Sequence, residues 1–191
     1  MSRLRFAIVA ALLSTACSEA PGPSAGGAGG EPSGVRAIMR FEASAGFFDA
    51  PFPIEHRRND DGTLRLDDFP DPGSSASLTQ ILALVAAKPT GFSLNGAVFL
   101  RFDGAIDAAN LPSPRDATKP ESPLFLVNVT KGSEGRGRRV PIVSSFKSRA
   151  ETYSPENLLA VMPYPGFPLE PDTTYAVVVR TALGGGAEGS A

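Results

Sequence analysis

The sequence holds no tryptophan, one cysteine and one histidine in 191 residues. A single cysteine excludes an internal disulfide framework. A single histidine, His56, leaves a zinc site short of its usual ligands and offers a serine hydrolase one possible base. It stands in Glu55-His56-Arg57-Arg58, where cationic neighbours disfavour its protonated form. Basic excess is lacking too: 18 Lys+Arg face 20 Asp+Glu, a formal net charge of −2. That balance excludes an electrostatic footprint for nucleic acid. The longest apolar run, Phe6 to Leu13, is too short to span a bilayer as a helix.

What is present begins at the N-terminus. Arg3 and Arg5 form a positive region ahead of that apolar run, and Ser14-Thr15-Ala16 place small residues before Cys17. This resembles the lipobox of bacterial lipoproteins, with Ser14 where leucine is commonest and Leu13 one place early. The resemblance implies a signal peptide over residues 1–16, cleaved ahead of Cys17, and acylation of that cysteine. The membrane is then a partner through lipidated Cys17, held by acyl chains without a spanning helix. Ser18 and Glu19 carry no strong inner-membrane retention signal, so the outer membrane is the expected location. An ordinary cleaved signal with an incidental cysteine is the alternative, and it also exports the chain.

Residues 17–34 are mostly Gly, Pro, Ser, Ala and Glu, the composition of a disordered tether. Gly22-Pro23-Ser24-Ala25-Gly26 within it matches G-x-S-x-G formally. A nucleophile elbow needs a strand before the serine and a helix after it, and a low-complexity linker supplies neither.

Residues 35–183 read as one mainly β domain. The arm, residues 35–75, opens with a loosely alternating strand at Val35 to Ala43. Phe47, Phe48 and Phe52 with Pro51 and Pro53 predict an extended segment that buries rings without joining a central ladder. Asp61-Gly62 signals a hairpin turn, and Leu64 and Leu66 alternate with Arg65 and Asp67 as a short strand. A helix is expected over residues 77–88, with Ser77 as cap and Gln80 completing a capping box. Its stripe of Leu78, Ile81, Leu82, Leu84 and Val85 is expected to pack on the core. Strands fill residues 97–183: Ala97 to Phe102, Leu124 to Val129, Arg139 to Phe146, Leu158 to Met162 and Thr174 to Thr181. Pro141 predicts an edge or a bulge within the third of these. This spacing, with Gly/Pro turns, predicts a β-sandwich.

Two stretches carry a family resemblance. Phe99 to Asp103 with Ile106-Asp107 and Leu111, and Leu169-Glu170-Pro171-Asp172-Thr173-Thr174-Tyr175, resemble bacterial Ig-like domains. Pro51-Phe52-Pro53, Asp61-Gly62-Thr63-Leu64, the helix and Gly91-Phe92-Ser93 extend the likeness to the N-terminal domain of virulence-factor-lipase-type lipoproteins. Glu55 departs from that pattern, which usually has aspartate there. In that family the Ig-like domain precedes an α/β-hydrolase domain. Its pattern also continues past the last strand into a further turn and strand. Here residues 184–191 form a glycine-rich tail, read as a possible truncation point. Val35 to Ala43 is the other candidate for the missing strand position.

No catalytic, cofactor or metal residue is expected in this chain. Asp60, Asp61, Asp67, Asp68 and Asp71 could suit calcium, but their spacing does not fit an EF-hand loop and turn formation explains them as well. Lys131, Arg136, Arg138 and Arg139, interrupted by Glu134 and glycines, read as a solvated loop. The expectation is a lipid-anchored, extracytoplasmic structural or binding module of the cell envelope. The alternative is the N-terminal piece of a secreted lipase or esterase. An envelope protein or a downstream hydrolase domain would be the protein partner.

Overall fold

The computed structural model describes residues 5–6, 34–42, 44–71, 73–87 and 91–184. Cys17, most of the expected leader and tether, and residues 185–191 lie outside them. The described residues form two sheets and one α-helix.

The first sheet runs β1 (Arg5–Phe6), β7 (Thr174–Val179), β3 (Leu124–Asn128), β4 (Arg139–Val140). The second runs β2 (Val98–Arg101), β6 (Leu158–Pro163), β5 (Ile142–Lys147). Every pairing is antiparallel except that of β1 with β7. β4 and β5 are separated only by Pro141, so one stretch of chain leaves the first sheet and enters the second there. Proline has no N–H to give a ladder, which suits it to that crossing point.

Strand alternation builds the core. Leu124, Leu126, Tyr175 and Val177 from the first sheet share one buried cluster with Val98, Leu100, Leu159, Val161 and Ile142 from the second. Burying each such side chain contributes about 1.5–3 kcal/mol, so this cluster dominates stability. Phe125 takes the opposite face of β3 by the period of two. The Arg139 guanidinium covers its ring at 3.7 Å from the centroid, and Arg180 approaches from 5.4 Å.

The arm does not form the strands its alternation suggests. In the first expected strand the ladder is reduced to one bridge, Ala37 to Phe102, with Ile38 N–H donating to the Arg101 carbonyl at 2.7 Å. It lies on the outer edge of β2 and so does not occupy the sheet position beside β7. Phe52 pairs the same β2 edge through two hydrogen bonds with Phe99, of 3.0 and 2.6 Å. Its ring joins those of Phe47 and Phe92. At this edge Phe47 and Phe92 are buried and Phe48 and Phe52 partly so, and the segment expected to be extended opens with a 3-10 turn at Phe47–Asp49. Between Asn59 and Thr63 the chain turns through Gly62, whose φ of 87° only glycine adopts freely. Leu64 and Leu66 are buried and Arg65 and Asp67 exposed, yet pairing stops at the single bridge from Arg58 to Leu64.

The helix, α1 (Ala76–Ala86), has its cap two residues before the expected one. Ser75 is the cap: its hydroxyl accepts from Leu78 N–H at 3.3 Å, and its own N–H donates to Asp71 Oδ1 at 3.0 Å. The capping box built on Ser77 and Gln80 therefore does not form. The expected core packing is also only partial. Leu82 and Ala86 lie against the core cluster, while Ile81, Leu84 and Val85 are 56, 64 and 46% exposed. The stripe is wider than the surface beneath it, and the helix settles on the side carrying Leu78, Leu82 and Ala86.

Candidate functional site

The segment leading into β7 is locked from residue to residue. Leu169 is buried, and its N–H donates to the Leu94 carbonyl at 3.1 Å. Pro171 and Asp172 turn the chain, Asp172 with φ 53°. The Thr173 hydroxyl donates back to the Pro171 carbonyl at 3.0 Å. Thr174 N–H donates to the Thr130 hydroxyl at 2.8 Å, tying the turn to the β3–β4 loop. Glu170 N–H then donates to the Tyr175 hydroxyl at 3.2 Å, and the Glu170 carboxylate pairs with Arg138. Burial pushes the Tyr175 phenol above its ordinary pKa. A fully packed ring whose hydroxyl bonds to backbone five residues upstream fixes how the chain enters this strand.

β7 also presents a side that faces away from β3. Val129 N–H donates to the Thr174 carbonyl and Arg180 N–H to the Pro123 carbonyl, each at 2.8 Å. Antiparallel alternation then turns the backbone groups of Thr174, Ala176 and Val178 toward β3 and those of Tyr175, Val177 and Val179 away from it. Arg5 opposite Thr174 and Phe6 opposite Tyr175 form the parallel pairing on that outer side.

A separate groove of about 240 Å³ opens on the arm side of β2, lined among others by Phe48, Asp49, Arg101, Glu151 and Tyr153. Arg101 Nη1 pairs with Asp49 Oδ1 at 2.7 Å, and Glu151 is taken by Lys147 at 2.5 Å. Arg101 Nε is buried and unpartnered. The groove is lined by the Phe47, Phe48 and Tyr153 rings and by the hydroxyl residues Thr152 and Ser154. Sequence reading missed the Arg101–Asp49 pair. Its one signal is that Arg101 alternates outward after Val98 and Leu100, so its charge needs a partner beyond the sheet.

The sequence-derived candidates are not brought together. His56 is exposed, with its ring edge-on to Phe41 at 5.5 Å and its carbonyl accepting from Arg65. The acidic run is occupied by local bonds. Asp61 accepts from the N–H and hydroxyl of Thr63, Asp68 takes a two-pronged grip from Arg57 at 2.6 and 2.8 Å, and Asp71 accepts from Ser75 N–H. These bonds hold the Asp61 and Asp68 carboxyls below the usual range, through Thr63 and Arg57 respectively. In the 131–138 loop Arg136 donates to the Val129 carbonyl at 2.7 Å and Arg138 meets Glu170, so these two cations brace the loop. No helix among the described residues is long and apolar enough to cross a membrane.

Comparison with protein-family models, with curated proteins and with solved structures finds no match to this chain.

Proposed function

We propose that this chain is a lipid-anchored, extracytoplasmic structural or binding module of the cell envelope, built on an Ig-like β-sandwich. The observation that carries it is the bond from Glu170 N–H to the Tyr175 hydroxyl at the lead-in to β7. A tyrosine placed so at a strand start is a hallmark of Ig-like sandwiches. The core cluster drawn from both sheets agrees with that reading. The anchor rests on Ser14-Thr15-Ala16-Cys17 behind the basic and apolar leader. Lipidation of Cys17 and outer-membrane residence follow from it. Labelled palmitate should enter the expressed protein, and Cys17→Ser should abolish labelling and release the domain into the soluble fraction. Unlabelled wild-type protein that fractionates as soluble would sink the anchor. Ester turnover by the purified chain, lost in His56→Ala, would overturn the non-catalytic role.

A second reading is favoured by the exposed apolar face of α1, at Ile81, Leu84 and Val85. Faces of this kind mark interaction sites. In that reading the domain precedes an α/β-hydrolase in a longer lipase or esterase, which packs on the helix. Reading the coding region downstream for a nucleophile elbow between strand and helix tests it.

A further inference from the structure

We propose that the outer edge of β7 is a strand-acceptor site for an extended apolar peptide running parallel to β7. Three observations meet there. The backbone groups of Tyr175, Val177 and Val179 point away from β3, by the alternation of that ladder. Tyr175 and Val177 are each 1% exposed, their side chains held in the core cluster, and Tyr175 is paired with Phe6 on its outer side. The strand paired on it is Arg5–Phe6, in parallel register, where the basic start of the chain meets its longest apolar run.

Buried backbone groups must be matched, because each unpaired amide or carbonyl costs about 1–3 kcal/mol. β7 itself is rich in β-branched residues and carries no charge to repel an added strand. The hydrogen bonds come from the peptide backbone, so the site selects extended conformation and apolar character more than a particular sequence. On the proposed function, which this inference rests on for one step, residues 1–16 are removed at the anchor. That step vacates the edge, and an extended segment of a partner protein takes the leader's place. The module would then bind by completing its own sheet.

The test uses the full chain, purified from a host in which it is not exported, so that its leader is retained and lipidation plays no part. In Arg5→Pro/Phe6→Pro the paired strand loses its amide donors. Amide hydrogen exchange at Tyr175 should quicken by roughly tenfold or more, while Val98 to Arg101 keep wild-type rates. Adding the synthetic peptide Arg-Leu-Arg-Phe-Ala-Ile-Val in excess should restore protection, and the same peptide N-methylated at alternate amides should not. Unchanged exchange in the proline variant, or no rescue by the plain peptide, overturns the proposal. A second readout does not depend on that variant folding. In a Cys17→Ser background, Arg5→Cys with Thr174→Cys should cross-link on mild oxidation, whereas Arg5→Cys with Val178→Cys should not. No selective cross-link also overturns it. Failure of palmitate labelling would strike the anchor alone and leave these outcomes intact.

Discussion

Replacing Tyr175 by phenylalanine tests the local geometry on which the fold reading rests. The substitution removes one oxygen and keeps the ring that fills the core. The bond lost is a 3.2 Å contact from Glu170 N–H, at the long end for its type. Its net worth is about 1 kcal/mol. For a domain of this size class that lowers Tm by about 2–4 °C. The pH dependence adds a signature that packing cannot mimic. Burial raises the Tyr175 pKa above 10.0, so the folded state holds this proton after the unfolded state has released it. The stability contributed is complete below the unfolded pKa, about 10, and is lost as pH rises toward the folded value. Wild type therefore weakens above pH ~10 through a route that Tyr175→Phe lacks, and the gap between them narrows there. Chemical denaturation of both proteins at neutral and alkaline pH measures this. Equal midpoints at pH 7, with parallel alkaline decline, would refute the reasoning.

The remaining predictions address other parts of the fold. Leu126→Ala empties a site 1% exposed between the sheets and should cost about 2–5 kcal/mol, read as a lower urea midpoint at unchanged m-value. Leu84→Glu on the exposed face of α1 should stay within about 0.5 kcal/mol, and a larger loss would mean that the face is covered. Gly166 turns the chain from Tyr164 to Phe167 at φ 94°, so Gly166→Ala should cost about 1 kcal/mol through backbone strain alone. Asp68→Asn weakens the grip of Arg57, whose guanidinium also lies 4.2 Å from the Phe47 ring centroid. Asp68 is partly exposed, so the loss should be about 0.5–1 kcal/mol. Because Arg57 depresses its pKa, that increment is full above pH ~4 and disappears as pH falls through the lower folded value, so the two proteins converge in acid.

The strands after residue 97 were legible because period-two alternation and Gly/Pro punctuation act locally. Pro141 in particular marks the place where β4 gives way to β5. The arm was legible as a pattern but not as structure. Leu64 and Leu66 alternate like a strand, and burial honours the alternation, but a ladder needs a partner that no local signal specifies. The helix start slipped because Ser75 and Ser77 are both competent caps, and Asp71 decides between them by holding the Ser75 N–H. Its apolar face misled for another reason: periodicity shows which residues share a side, but not how much surface lies beneath. The Arg101–Asp49 pair spans 52 residues and has no short-range trace. The edge of β7 was foreseen only as a place where a strand was wanting.

The crossing at Pro141 has a mechanical consequence. β4 holds to β3 in one sheet and β5 to β6 in the other, with a single residue between them. Force that drives the sheets apart must therefore shear one of those two ladders rather than stretch a slack connection. Of the two, the β4–β3 ladder has two paired positions and the β5–β6 ladder six, so the first is the weaker link. Under load the β4–β3 ladder should therefore part before β5 leaves β6.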